Sequence, residues 1–372
     1  MNNNYISKKQ LFMIMVLFQL GSSVVVLGVG ARQDAWIAVL VGMVGGLLLS
    51  FIYTYLYIKN PADISFEKIL TYLLGKRFGD IITFIYIMYF TYVVARVIAD
   101  IRFLIHTTVL HETPELILSV FLMLPMIYAA YHGVEVIGRL AELFFPLIII
   151  IFFFIYLFLG TGESLHLGNL KPVLGHGWGI IFENVLKETM PVPFSETINF
   201  MNLYPNVKKE EKQEIRKPVF FSVIFSGIIL SATMGVNIMV NSLHVFENLT
   251  FPILTTIGTI TIGEFIERLD ILAIIILMVV NFFKILIWLY STVEMSISLF
   301  GLSLKHRPKI ILFISAAAIL MSVNLGSIVE HYELGSKVIP PYFHGSLLMG
   351  VPLLLMIIAF LKDKKVYIKG LK

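Results

Sequence analysis

The chain has 372 residues, 58% of them hydrophobic and only 14% charged, and its mean hydropathy is +0.88. So few charges cannot cover a water-soluble domain of this length, which excludes a soluble globular protein. The absence of cysteine excludes disulfides, thiolate metal sites and thiol nucleophiles, and the net charge of +4 says less than where the charges sit.

Uncharged runs recur at 10–31, 35–58, 143–162, 310–329 and 338–361. Each approaches or exceeds the roughly 20 residues that carry a helix across a hydrocarbon core. The pattern predicts an all-α polytopic membrane protein, residues 1–372 forming a single membrane domain. Ten spans are expected, at about 10–30, 35–58, 80–108, 115–131, 140–160, 180–202, 218–242, 270–300, 309–326 and 344–362. Lys8 and Lys9 precede the first span, but no A-x-A-like site follows, so this segment reads as a true span rather than a cleaved signal. The loop at 163–179 is rich in Gly and carries Pro172. In the loop at 243–268, an apolar stretch from Phe251 to Ile266 is too short and too rich in Thr and Gly to cross. It reads as a helix-like segment, about 250–266, lying outside on the bundle.

With these spans, 20 Lys and Arg fall on the side of the termini and four on the other. The asymmetry predicts cytoplasmic N- and C-termini and an even number of spans.

Two spans are interrupted. The first carries Leu20-Gly21-Ser22-Ser23 at its middle. The sixth carries Met190-Pro191-Val192-Pro193-Phe194-Ser195-Glu196, where two prolines remove two backbone donors and crowd the preceding turn. Spans one and six open two sets of five, about 10–160 and 180–362. Matched interruptions in corresponding halves point to a 5+5 inverted repeat with a mid-membrane site. Half-helix ends at such breaks offer amides to a carboxylate and carbonyls to a cation. Gly21, Ser22 and Ser23 then read as exposed backbone and hydroxyls in a ligand site. Taken alone, the first span is equally explained by small-residue helix packing; the sixth favours a site.

Four basic residues fall inside predicted spans, Arg96, Arg102, Lys187 and Lys284, and the acidic Asp100 and Glu196 join them. A charge at mid-bilayer costs roughly 2.5–3.5 kcal/mol on insertion scales, so it needs a partner or a role. Arg96 and Asp100, four apart on one helix face, can pair with each other, as a lock on the bundle or, less simply, as a ligand contact. Arg102 is placed to snorkel at a helix end. Glu183 and Lys187 read as a wet pair. Lys284 lies fourteen residues from either end of its span, so it is expected to replace a cation, bind a ligand carboxylate or pair with Glu196. The nine histidines show no i,i+4 pair or metal spacing, and there is no phosphate-binding loop or dinucleotide fingerprint. No cofactor, metal, nucleic acid or catalytic residue is expected, and an enzyme is not.

Four segments together resemble the B subunit of endospore nutrient-germination receptors, a branch of the amino acid–polyamine–organocation permease superfamily. They are Leu20-Gly21, Asn169-Leu170-Lys171-Pro172-Val173-Leu174-Gly175-His176-Gly177, Pro193-Phe194-x-Glu196, and Phe265-Ile266-Glu267-Arg268-Leu269-Asp270. The resemblance covers nearly the whole chain. It implies a ten-helix LeuT-like bundle in the inner spore membrane, working with an A-type membrane subunit and a C-type lipoprotein and sensing a small nutrient such as an amino acid. By that resemblance the pocket uses Gly21, Ser22 and Ser23, then Tyr92 and Val93, then Pro193, Phe194 and Ser195, and finally Asn281 and Lys284. Ser195 stands where relatives often have Gly, and Lys284 where they often have a small or neutral residue, so no relative's nutrient is transferred. The leading expectation is a germinant-sensing subunit with the ligand carboxylate at the first break. The alternatives are a sodium-independent, proton-coupled amino acid transporter and a membrane anchor with a decayed pocket.

Overall fold

A Ser7 cap opens the first helix: its hydroxyl accepts from the Gln10 amide at 3.1 Å, and the Gln10 side chain accepts the Ser7 amide at 2.8 Å. That helix, α1 (Lys8–Leu20), begins a computed structural model that describes residues 5–59, 65–162, 164–260 and 270–370. The chain continues through α2 (Ala35–Lys59), α3 (Phe66–Leu74), α4 (Lys76–Thr108), α5 (Glu115–His132), α6 (Val134–Thr161) and α7 (Gly177–Asn184). It then forms α8 (Arg216–Phe246), α9 (Pro252–Gly258), α10 (Asp270–Leu299), α11 (Arg307–Val323), α12 (Ile328–Lys337) and α13 (Val351–Gly370). No strand forms among the described residues.

Eight helices among the described residues are long and apolar enough to cross a membrane. The two expected spans that fall short are the first and the sixth, the two in which the sequence predicts breaks. α1 ends at Leu20, tightens into a 3₁₀ turn over Gly21–Val24, and is extended at Val25. α7 passes without a gap into wide, π-type turns over Val185–Phe194, where Val192 leaves helical geometry (φ −124°, ψ 121°) between the two prolines. A 3₁₀ segment, Ser195–Asn202, follows.

Other expectations are corrected. The loop after the second span contains a helix, α3, whose apolar face is buried on Phe66, Ile69, Leu70 and Leu73. The last span starts earlier than 344, with wide turns over Ile339–Gly350. A short helix, α12, capped by Ser327, precedes it where no helix was expected. Arg102 does not snorkel. Its side chain is fully buried, pairs with Glu115 at 2.9 Å and stacks on Phe103 at 4.4 Å. Within the expected external segment, Pro252–Gly258 is helical. The remainder from 261, with Phe265 through Leu269, lies outside the described residues.

Freed backbone groups at the breaks find partners inside the protein, as a low-dielectric surround demands. The Ser195 hydroxyl donates to the Pro191 carbonyl at 2.6 Å, and the Tyr53 hydroxyl lies 3.1 Å from the Ser195 carbonyl and 2.6 Å from that of Leu348. Close approach of α2 to the wide turns depends on small residues: a Cβ at Gly42 would meet Thr189, at Gly45 Met190, and at Gly46 Phe194. Thr189 uses that proximity to donate to the Ala38 carbonyl at 2.9 Å.

The loop motif at 169–177 is structural. Asp34, just before α2, accepts the Leu174 amide on both oxygens at 3.0 and 3.1 Å, and Gln33 donates to the Pro172 carbonyl at 3.1 Å.

Candidate ligand site

The two breaks lie against one cavity of about 940 Å³. This is within the roughly 300–1,000 Å³ of small-molecule sites. Its walls come from the first break (Gly21, Ser22, Val24–Leu27), α4 (Val93, Arg96, Val97, Asp100), the wide turns of α7 (Glu188, Val192), Glu196, and α10 (Asn281, Lys284). The loop Glu247–Thr250, α12 and His344 complete it. All the loops involved lie at the end of the bundle away from the termini.

Lys284 sits deep in this cavity. Its ammonium donates to the Ser22 hydroxyl at 2.6 Å and lies 2.9 Å from Glu196 Oε2. Both side chains are under 10% exposed, so each neutralises a charge that would otherwise be stranded. The ammonium also faces the carbonyl end of the first half-helix, where the helix dipole is negative. Gly21 makes this fit possible: a Cβ there would stand 3.0 Å from Lys284 Cβ and 3.2 Å from the Val280 carbonyl oxygen.

On the other side of Glu196, His344 Nε2 lies 3.4 Å from Oε1, and the His344 Nδ1 meets the Tyr89 hydroxyl at 3.0 Å. Nearer the distal end, His331 Nε2 is 2.7 Å from Asp100 Oδ1, and the Arg96 guanidinium donates to the His331 carbonyl at 2.7 Å. Arg96 and Asp100 therefore do not pair with each other as their spacing suggested: both are taken up by His331 of α12. Neither His331 nor His344 is marked as a site residue by the sequence, because their partners lie 231 residues away in the first case and on α4 and in the Ser195–Asn202 segment in the second. The sequence carried no signal for either. Glu183 and Lys187 pair at 2.6 Å and are exposed.

Of the expected ligand residues, Gly21, Ser22, Val93, Asn281 and Lys284 line the cavity, together with the charges Arg96, Asp100 and Glu196. Ser23 is buried beside it, its hydroxyl without a hydrogen-bond partner among the described residues. Tyr92 stands behind Arg96, its hydroxyl 3.5 Å from Nη1. Pro193, Phe194 and Ser195 are buried behind the wall rather than on it; Phe194 packs on Gly46 and Ser195 is spent on Pro191.

Three amides near the first break are also spent. Gly21 bonds back into α1, Val25 donates to Ser22 at 3.3 Å, and Gly28 donates to Glu188 Oε1 at 2.9 Å. Glu188 is held in turn by Asn184 at 2.7 Å. Gly28 itself is left-handed (φ 77°), a conformation that favours glycine. Asn281 donates to the Leu277 carbonyl at 2.9 Å, which orients its Oδ1 away from that bond and leaves it without a hydrogen-bond partner among the described residues.

A family model described as spore germination protein matches residues 5–327. The chain is similar to spore germination protein KB of Bacillus subtilis (strain 168), with 33% identity over 362 residues covering 97% of this chain and 96% of that one. It is also similar to spore germination protein YndE of the same organism, 26% identical over 69% of each chain, and to spore germination protein XB of Bacillus anthracis, 24% identical over 44% of each. A match of this extent places the chain, with its broken helices and its buried Lys284–Glu196 pair, in the spore germination protein family.

Proposed function

We propose that this chain is the nutrient-sensing subunit of a spore germination receptor. It binds a small amino acid or similar nutrient in the cavity between its two broken helices. In this reading all ten spans cross the inner spore membrane as a 5+5 inverted repeat with cytoplasmic termini, and an A-type membrane subunit and a C-type lipoprotein receive the signal.

The observation that carries the reading is the position of the cavity. It meets the first break and the Lys284–Glu196 pair at its floor and reaches the distal loops, whereas the end bearing the termini is filled by aromatic side chains. Phe18 packs on Phe200 at 5.2 Å, Phe90 on Trp288 at 4.7 Å and Tyr57 on Tyr204 at 5.3 Å. A sensor needs a site whose occupancy favours one conformer, not a path through the protein.

The test uses purified protein in liposomes. Labelled amino acids are screened for saturable binding and, in the same preparation, for accumulation inside. Binding without accumulation supports the sensor. Accumulation makes the chain a transporter, a reading favoured by the buried Glu196 contacts with Lys284 and His344, which could carry a proton. The absence of both binding and accumulation overturns the pocket reading.

A further inference from the structure

Among the described residues four Lys and Arg side chains line the cavity, and three of them already have a carboxylate. Lys187 pairs with Glu183 at 2.6 Å, Lys284 with Glu196 at 2.9 Å and Lys337 with Glu333 at 2.8 Å. Arg96 is the exception: among the described residues no carboxylate lies within ion-pair distance of it. The residue is 8% exposed, and among the described residues its guanidinium hydrogen-bonds only neutral oxygens, the His331 carbonyl at 2.7 Å and the Tyr92 hydroxyl at 3.5 Å. Asp100, one turn away, is committed to His331 Nε2 at 2.7 Å. A guanidinium has five N–H donors in a planar fork, so donors remain for the cavity. Three amides at the first break are already engaged: Gly28 faces Glu188, and Gly21 and Val25 bond within the chain.

We infer that the ligand carboxylate docks on Arg96 in the wall formed by α4, not on amides at the first helix break. A planar carboxylate matches the guanidinium fork and its charge-assisted hydrogen bonds. The same guanidinium holds the backbone of α12 and lies directly against Gly335, leaving no room there for a Cβ. Occupancy at Arg96 is therefore felt by the short helix that covers the cavity. The inference rests on the amino acid reading of the proposed function.

The experiment measures equilibrium binding of the twenty labelled L-amino acids to the intact protein in liposomes. It then compares the tightest binder with its carboxamide, in wild type, Arg96→Gln and Arg96→Lys. Wild type is expected to prefer the carboxylate by on the order of 10- to 100-fold, the worth of a hydrogen bond to a charged group. Arg96→Gln should lose that preference while holding the carboxamide as wild type does, a result that an unfolded variant cannot give. Arg96→Lys should keep part of it.

The inference is overturned if Arg96→Gln keeps the wild-type preference or if it loses both compounds alike. If no amino acid binds wild type, the ligand class in the proposed function fails and takes this anchor with it. If wild type binds but Arg96→Gln is indistinguishable from it, only the anchor fails.

Discussion

The two ends of the bundle are built on opposite principles. The end carrying the termini is closed inside by apolar and aromatic packing, with some polar groups spent on backbone and with ion pairs such as Lys8–Glu214 and Arg307–Glu294 toward its surface. The Tyr57 hydroxyl donates to the Tyr204 carbonyl at 3.1 Å, and Ile6 bonds the Asn206–Lys208 backbone at 2.8 and 3.0 Å. The distal end holds the cavity, Lys284, Glu196, Arg96, Asp100 and two buried histidines. Packed apolar surfaces resist small displacements, whereas charged pairs in a cavity are sensitive to any group that enters. The difference teaches that the distal end can respond to a ligand while the other end provides a fixed reference.

The sharpest test of that contrast is Lys284→Met. It strands the Glu196 carboxylate and should destabilise the protein by about 3–5 kcal/mol. Adding Glu196→Gln should restore most of the loss, read as thermal unfolding in detergent. Equal stability of the single variant and wild type would show that the distal charges are not interdependent.

Gly21→Ala comes next. The new Cβ presses on Lys284 and the Val280 carbonyl. A cost of about 1–3 kcal/mol is expected from overpacking, together with weaker ligand binding in the liposome assay. Unchanged binding would separate the first break from the site.

Phe18→Leu at the opposite end removes one edge-to-face ring contact with Phe200. Loss of about 0.5–1.5 kcal/mol beyond the area effect is expected, with ligand preference unaltered. A changed preference would mean that the two ends are not separable.

The smallest effect is predicted for Lys8→Ala, which removes an exposed pair with Glu214 at 2.5 Å. The pair holds the Glu214 carboxyl below its ordinary range and raises Lys8 above its own, in both cases chiefly through their hydrogen bond. A depressed carboxyl contributes above its unfolded pKa and loses that contribution as pH falls through the folded value. The difference between Lys8→Ala and wild type should accordingly vanish in acid, in thermal scans across the carboxylate range.

Hydropathy made most of the helices legible, and Gly21 and the Pro191–Pro193 pair marked both breaks, because these features are local in the chain. The cavity's charges were legible one by one but not in their pairing. Arg96 and Asp100 have helix spacing that suggests a mutual bond, yet His331 takes both, and no local pattern announces a partner so distant in sequence. α12 and α3 were missed because short amphipathic helices with mixed composition resemble loops when only long apolar runs are counted. Pro193, Phe194 and Ser195 illustrate a further limit: sequence puts a residue near a break but not on its open side.

The attachment of residues 28–34 has a mechanical consequence. This segment follows the first break, and it is gripped at one point by Glu188 of the α7 turns and at two others by the loop just before α7, through Gln33 and Asp34. Both grips belong to the same stretch of chain that contains the second break. Tilting α7 must carry the segment with it, or several buried bonds must rupture at once. The two interruptions thus work as one lever with a common arm, and a push at either is delivered to both.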